Sequence, residues 1–484
     1  MVVPFLVGTK FIRNNKDSKM TKKNPYLNHF IALVLVLGVF SPSYAQKYRT
    51  GCVLDKDKYA TVPLAAPLMR GDYRNLPAKV SLRKYAPIPK NQGAYGTCVG
   101  WSAAYAARTV LYARQKNITD PISVTQNAFS PFFLYERAKP SSDINCQEGT
   151  SLVTGLDVIK RDGVVKYQDF SDRCGKLVTS KLRQDAKAFK VQDYRKLFKT
   201  ENDTRKVQLV KKSLAEKKPV IIGMQCCTES FLNSRGKDVW IKNPKEDLNP
   251  DGGHALTVVG YDDKKYGGAF ELMNSWGTLW GDNGFIWVKY SDFQRYCFEA
   301  YEMIVLQPRQ ITLSGKVKFT LSAGFDMQAE FKDGYYQVNK PYYSGTLFRM
   351  YIANNEPAYV YAFSSDLSRK TYKIFPHSQG MSPYLGYSNN NVAIPDEDLF
   401  IKMDNTQGMD YFCVLYSAEK LDIAKIMKQV EMEAGDFQTR VKKVLSSKLI
   451  PGNEINYSSN GGISFQGISK KGKVVPIIVA IRHL

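Results

Sequence analysis

The sequence predicts an α+β protein, with a mixed helical and strand unit over residues 81–308 followed by a separate β-rich accessory domain over 309–484. Three observations carry this expectation. The Ala-rich run Cys98–Gln115 places apolar residues at helical spacing. Strand-like runs dominate between Pro219 and Lys289. From about Gln310 onward, alternating aromatic stretches are broken by Asn, Ser, Gly and Pro turns. At 484 residues the chain has room for two or three domains. Its 44% hydrophobic and 23% charged residues exclude a wholly disordered, collagen-like or polytopic membrane protein.

In chain order, the first feature is the apolar run Phe30–Phe40, preceded by Lys22 and Lys23 and followed by Ser43-Tyr-Ala45. Its length suits a signal-peptide core rather than a bilayer span, so 1–45 is expected to be a signal peptide cleaved after Ala45, with an uncleaved anchor as the alternative. The expected location is therefore secreted or cell envelope, with no stable membrane span after cleavage. Residues 46–80 form a short Pro-containing connector. Gly96-Thr97 supplies a turn and a capping hydroxyl, which puts Cys98 at the N-terminus of a long buried helix. Helices are expected over Leu152–Asp162 and Val207–Lys217. Strands are expected over Pro219–Met224, Ala255–Tyr261, Ala269–Asn274 and Phe285–Lys289, with a Gly-rich loop between the last two. In the accessory domain the expected strands include Gly345–Ala353, Ala358–Phe363, Lys370–Phe375 and Val474–Arg482, with one helix over Lys420–Glu433 continuing toward Val444.

Lys+Arg outnumber Asp+Glu by 68 to 45, a net charge of +23, but the excess is spread along the chain. That pattern reads as a solvated basic surface, not a nucleic-acid-binding arm. Export permits disulfides. The eight cysteines include no C-x-x-C pair, so a zinc ribbon or thioredoxin-type site has no support, and adjacent Cys226-Cys227 make a poor metal clamp. No metal or organic cofactor is implied.

The chemistry centres on Cys98. A thiol is a useful nucleophile as thiolate, and a helix N-terminus beside an imidazolium lowers its pKa. His254, in Asp251-Gly-Gly-His-Ala, opens an apolar strand behind two glycines that leave space for backbone and ligand. Asn274, in Asn274-Ser-Trp-Gly-Thr-Leu-Trp-Gly, can orient the imidazole, with Trp276 shielding the bond. Gln92 lies six residues before Cys98 and can supply an oxyanion donor. His377 and His483 read as incidental, and residues 310–484 offer no evident nucleophile–base pair.

Taken in order, Asn91-Gln-Gly-Ala-Tyr-Gly-Thr-Cys98, Gly253-His-Ala and Asn274-Ser-Trp-Gly-Thr-Leu-Trp-Gly resemble the three motif blocks of papain-like (C1 family) cysteine peptidases. The resemblance covers about residues 81–306, with 156 residues from Cys98 to His254 and 20 from His254 to Asn274. It implies a two-lobed fold, a helical lobe carrying Cys98 and a β-barrel-like lobe carrying His254 and Asn274, with an extended peptide or protein substrate between them. It further implies Cys98 as nucleophile, His254 as acid and base, Asn274 as orienter and Gln92 as oxyanion donor. Gly149, Gly253 and Trp276 are the expected substrate-binding residues. The chain departs from the pattern with Val99 after the nucleophile and Tyr95 where a structural Cys is usual. Cys146 and Cys174 are free either to pair near the cleft in the helical lobe or to stay unpaired. Residues 46–80 are too short and Pro-rich for the family's helical inhibitory propeptide, so the expectation is an enzyme without that zymogen domain.

The C-terminal unit resembles a small β-rich domain of unknown function appended to secreted bacterial enzymes. Its tyrosines read as core and cross-strand pairs, or as a binding face for glycan or protein. The resulting expectation is an exported bacterial cysteine peptidase. Two alternatives stand beside it: transglutaminase- or amidase-like acyl transfer by the same residues, and a non-catalytic peptide-binding or adhesion module.

Overall fold

The computed structural model describes residues 12–13, 48–171, 174–247, 253–305 and 310–484. Apart from Ile12–Arg13, which pair with Phe400 and Leu399, the expected signal peptide lies outside the described residues.

The Ala-rich run is helical from the sulfur onward, as Cys98–Gly100, Trp101–Arg108 and Thr109–Lys116 in direct succession, the middle stretch wound as a π-helix. Ala103, Ala104, Ala106 and Ala107 are all buried, and these small side chains let neighbours approach closely. At Gly100 a Cβ would lie 2.3 Å from the Pro131 carbonyl oxygen, so only glycine permits the helix Pro131–Ala138 to pack there. Leu152–Arg161 completes the helical lobe, its first turn capped by Ser151 accepting from the Thr154 N–H. Thr97 does not cap as expected. It stands at the N-cap position, but its side chain makes no cap bond and its buried Oγ1 has no partner.

The facing lobe is an antiparallel sheet in the order Asp193–Lys196, Cys297–Ile304, Val220–Gln225, Gly253–Asp262, Ala269–Met273 and Phe285–Lys289, with Lys79–Ser81 paired to the far end of Gly253–Asp262. Nearly every residue of Gly253–Asp262 is buried, as its unbroken apolar run dictates. Thr257 Oγ1 donates to the Ser102 carbonyl at 2.9 Å, tying this strand to the Cys98 helix.

Residues 311–483 form two sheets packed face to face. One runs Leu399–Lys402, Leu347–Asn354, Ile311–Leu321, Ile463–Ser469 and Ile455–Ser458. The other runs Ala329–Lys332, Tyr335–Val338, Val474–His483, Gly408–Ser417, Ala358–Ser365 and Thr371–Phe375. Alternating residues such as Val317, Phe319, Met350 and Ile352 meet Val360, Phe412 and Val414 between them. Tyr336, Tyr359, Tyr361 and Tyr416 are fully buried and belong to the core. The single helix expected over Lys420–Val444 is two helices, Ile423–Met432 and Phe437–Leu445. Gly435 breaks it at φ +111°, and Asp436 caps the second by accepting from the Thr439 N–H.

The two domains are joined by a buried polar cluster. Glu302 accepts from Arg195 Nε at 2.6 Å and from Lys218 Nζ at 3.5 Å, and also bonds Ser213. From the accessory side, Tyr387 donates to Glu302 at 3.1 Å, Arg195 reaches the Tyr384 carbonyl, and Lys218 donates to the Gly386 carbonyl at 2.6 Å. Residues 63–74 reinforce this joint. Leu64 bridges Lys196 and Met381, Ala66 and Leu68 enter the sandwich core, and Asp72 accepts from the Asn391 N–H at 2.7 Å.

Burial alone would raise the Glu302 carboxyl, but Arg195 and Lys218 outweigh it and hold the group down at about 2. The stability it contributes is complete above its ordinary carboxylate range and is lost as pH falls toward 2. Glu302→Gln leaves Arg195 buried without its counter-charge. We expect it to cost about 3–5 kcal/mol in equilibrium denaturation and to expose the joint to limited proteolysis.

Candidate active site

The helix that begins at Cys98 and the strand that begins at Gly253 meet across the groove, yet no hydrogen bond joins the Cys98 sulfur to His254. Cys98 is a free, fully buried thiol, and the nearby backbone N–H groups of Ala255, Gly51 and Val99 favour its thiolate form without offsetting burial. Val99 belongs to its own helix, whereas Ala255 follows His254 on the facing strand, so the sulfur lies one residue away from the imidazole-bearing position. His254 Nε2 lies 2.7 Å from Asn274 Oδ1. That oxygen also accepts the Ser275 N–H at 2.7 Å, which fixes the amide's orientation and makes Nε2–H the donor. The other ring nitrogen, Nδ1, is buried without a partner and carries the lone pair. Trp276 lies over the ring with centroids 4.6 Å apart, screening the His254–Asn274 bond from water as anticipated.

Gln92 is held by two-way pairing with the same loop. Its N–H donates to the Ser275 carbonyl at 2.7 Å, and its Oε1 accepts from Ser275 Oγ at 2.5 Å. This leaves Nε2 pointing into the groove, where it donates to the carbonyls of Tyr95 at 2.7 Å and of Arg49 at 2.9 Å. Cys146 and Cys174 form a disulfide in the helical lobe. Tyr95, in the position of the missing cysteine, packs edge-on against Phe132, and Val99 fits over Gly155.

The feature that sequence reasoning missed is residues 48–53, which run through the groove. Tyr48 stacks on Trp276 at 4.7 Å. The Arg49 carbonyl takes the Gln92 amide. The Gly51 N–H is near enough to the Cys98 sulfur to favour its thiolate form. The Gly51 carbonyl accepts from the Thr150 N–H at 2.9 Å, the Cys52 N–H donates to the Gly253 carbonyl at 3.2 Å, and the Val53 N–H donates to the Thr150 carbonyl at 3.1 Å. Gly253 and Trp276 thus meet this segment through a backbone bond and a ring contact. Gly149 acts differently: its N–H is taken by the Tyr135 hydroxyl, and Thr150 makes the backbone bonds. Gly149 contributes space instead, since a Cβ there would lie 2.4 Å from the Gly51 oxygen. The only sequence signal for this segment was the small pair Gly51-Cys52, too short to register as a motif.

Occupation of the groove also changes the electrostatics expected from sequence. Burial pushes the Cys98 thiol up to about 12, against the three N–H groups that favour thiolate. Burial pushes His254 down to about 4, with the Asn274 bond opposing. The closed groove therefore holds neutral thiol beside neutral imidazole, in place of the thiolate–imidazolium pair anticipated above.

The family described as "Papain family cysteine protease" matches residues 76–305. Residues 76–305 are a papain-family cysteine protease domain. Among similar curated proteins, a peptidase C1-like protein of Acanthamoeba polyphaga mimivirus is 27% identical over 225 residues, covering 43% of this chain and 68% of that protein. Cathepsin K of Mus musculus is 25% identical over 230 residues, covering 47% and 63%. Peptidase 1 of Psoroptes ovis is 27% identical over 223 residues, covering 44% and 60%. The chain thus spans about six- to seven-tenths of the length of these relatives. Among solved structures, xylellain, a cysteine protease from Xylella fastidiosa, has a TM-score of 0.44 at 20% identity, covering 56% of this chain and 100% of that one.

The accessory domain contains one arrangement that sequence reading passed over. His483 is buried, with Nδ1 3.1 Å from Asp410 and Nε2 3.0 Å from the hydroxyl of exposed Ser344. Yet the Ser344 N–H donates to the Leu484 carbonyl and the Gly345 N–H to the Met403 carbonyl. Neither is available for an oxyanion, so the line of residues pins the final strand instead of forming a second protease centre.

The raised Cys98 and lowered His254 values predict slow alkylation in the intact protein. Iodoacetamide labelling of Cys98 should be negligible near neutral pH and climb only toward strongly alkaline pH. Removal of residues 46–54 should bring rapid labelling at pH 6–7. Mass spectrometry of the Cys98 peptide gives the readout.

Proposed function

We propose that this chain is an exported cysteine peptidase in which residues 48–53 keep the protease domain latent. The supporting observation is the path of that segment. A peptide backbone already lies in the groove, with Gln92 on one carbonyl, the Gly253 carbonyl and Thr150 on its other polar groups, and the Cys98 sulfur at its centre. A substrate entering in its place meets the same donors and acceptors.

Once the segment leaves, water reaches the sulfur and the ring, and the cost of charging them falls. The Cys98 proton passes to His254 Nδ1, and the thiolate attacks the scissile carbonyl carbon. Gln92 Nε2 and the Cys98 backbone N–H stabilise the oxyanion. His254 then protonates the leaving amine as the C–N bond breaks, leaving a thioester on Cys98. It next takes a proton from water, whose oxygen displaces the sulfur to release a carboxylic acid and restore the thiol. Asn274 keeps Nε2–H bonded throughout, so proton exchange is confined to Nδ1.

The segment resists this chemistry because its polar groups are already paired with the groove and the closed site holds Cys98 as the neutral thiol. The proposed cleavage after Ala45 leaves Gln46 as the mature N-terminus, two residues before Tyr48. The segment can then leave the groove as a free end without disturbing residues 63–74.

Three substitutions separate latency from catalysis. A Cβ on Gly51 would lie 2.1 Å from the Gly96 carbonyl oxygen, a backbone atom with no freedom to yield. Gly51→Leu should therefore expel the segment and raise hydrolysis of a fluorogenic peptide at least tenfold above the intact protein. In that background Cys98→Ala should abolish hydrolysis, and Gln92→Ala should lower kcat by about 10²–10³-fold. Product analysis with a peptide plus a primary amine tests for acyl transfer: a peptidase yields free acid, whereas a transferase yields the amide.

A further inference from the structure

Among the described residues the accessory domain exposes five large apolar side chains, and four of them stand at one end of the sandwich. Phe325, Tyr343, Leu367 and Met432 are 72%, 70%, 65% and 77% exposed, whereas the fifth, Ile468, lies on a sheet face at 44%. A chain of contacts gathers the four. The Ser322 N–H donates to the Leu347 carbonyl at 2.9 Å and the Thr346 N–H to the Tyr343 carbonyl at 3.1 Å, which sets the Phe325 turn beside the Tyr343 loop. The Tyr342 N–H donates to the Arg482 carbonyl at 2.9 Å, and the next residue, His483, pairs with Gly408. A Cβ on Gly408 would lie 2.5 Å from Leu367 Cδ1. Just past Leu367, Arg369 donates to the Glu433 carbonyl and the Thr371 N–H donates to Glu431 at 2.6 Å, on either side of Met432.

This end is the one away from the protease domain. The strand Ala358–Ser365 begins beside Tyr384–Leu385, at the joint, and ends two residues before Leu367. The residues around the tips, such as Ser322, Gly324, Ser344 and Ser368, are small and exposed. The charges here are one-sided. Lys340, Arg369, Lys370 and Arg482 are exposed and form no ion pair among the described residues. The carboxylates are engaged: Asp326 with Lys318 at 3.4 Å, Glu433 with Lys443 at 3.3 Å, and Asp404 and Asp410 with His483 at 3.9 and 3.1 Å. Asp366 is buried and accepts from the Ser368 hydroxyl.

We propose that this end of the accessory domain docks on an anionic phospholipid bilayer, the four apolar tips entering the headgroup layer and the basic residues meeting lipid phosphates. Large apolar side chains held out in water gain by leaving it, and cations beside them gain from a negative surface potential. A bilayer supplies both at one plane. Tips carried on separate loops suit a fluid surface, because each enters between lipids without matching a fixed shape. Docking in this way holds the protease domain on the far side of the sandwich from the lipid. The inference goes beyond the peptidase reading and does not depend on it.

Vesicle binding by the mature chain from Gln46 tests this, since the apolar run Phe30–Phe40 is then absent and adds no lipid affinity of its own. The chain is sedimented with vesicles of phosphatidylcholine alone, or of phosphatidylcholine mixed equally with phosphatidylglycerol. It should sediment with the mixed vesicles and stay in solution with phosphatidylcholine. Phe325→Ser combined with Leu367→Ser should weaken binding by about tenfold or more, and Lys340→Glu combined with Lys370→Glu by a similar factor. Ile468→Ser, on a sheet face of the same domain, should bind like the parent. Each substituted side chain is exposed, so thermal unfolding should be unchanged in every variant.

A second readout reports insertion directly. All five tryptophans, Trp101, Trp240, Trp276, Trp280 and Trp287, are buried in the protease domain. Phe325→Trp adds one at an exposed loop tip. With brominated acyl chains in the mixed vesicles, the emission of Phe325→Trp should be quenched and that of the parent should not change. Failure to sediment with the mixed vesicles would overturn the proposal and turn attention to a protein partner for the same tips. Sedimentation that survives Phe325→Ser with Leu367→Ser, without quenching of Phe325→Trp, would also overturn it, as the diffuse attraction of a basic chain to any anionic surface. Equal loss in Ile468→Ser would count against a site at this end.

Discussion

A sulfur at the first turn of a buried helix, where both lobes meet the chain's own N-terminal segment, is the constraint around which the protease domain is arranged. The helix must bring Cys98 to the groove while passing through the middle of the domain. That requires the alanines of its buried flank and the bare Gly100 against Pro131. The opposite strand must end in a residue without a side chain, so that the Gly253 carbonyl can bond a peptide while His254 turns toward Asn274 and Trp276. Each demand is steric before it is chemical.

Closure of the groove couples packing to reactivity. The same peptide that satisfies Gln92, Thr150 and Gly253 removes water from Cys98 and His254, and desolvation drives both toward their neutral forms. In the proposed reading, latency comes from two sources acting together: a backbone in the substrate's place, and an electrostatic environment in which the Cys98 thiol is not charged. A short, partly exposed segment suffices because its polar groups meet partners already positioned for a substrate.

The accessory domain is fastened to this arrangement by buried charge and by threaded chain. Glu302, Arg195 and Lys218 lie between the sheet of the protease domain and the Tyr384–Tyr387 turn, and Ala66 and Leu68 insert into the sandwich core. The groove-filling segment is continuous with residues 63–74. The sandwich therefore fixes where the N-terminal chain leaves the protease domain, and so the stretch from which residues 48–53 can reach the groove.

The sequence by itself pointed to a mixed unit followed by a β-rich one, to the strands that alternate or run unbroken, and to the motifs that hold Gln92, Cys98, His254 and Asn274, because periodicity and short motifs are local properties. It misjudged what depends on local geometry alone in two places. The Thr97 hydroxyl makes no cap bond at the helix end, and Gly435 divides a helix that composition allowed to continue. Tertiary structure alone decided the rest. That a connector of ordinary composition lies across the sulfur, that Thr150 and not Gly149 carries the backbone bonds, that four exposed apolar loop tips share one end of the sandwich, and that His483 is buried beside Asp410 all follow from contacts between residues far apart in sequence. Such contacts leave no periodic trace, since their free energy comes from shape and desolvation that exist only once the chain has closed on itself.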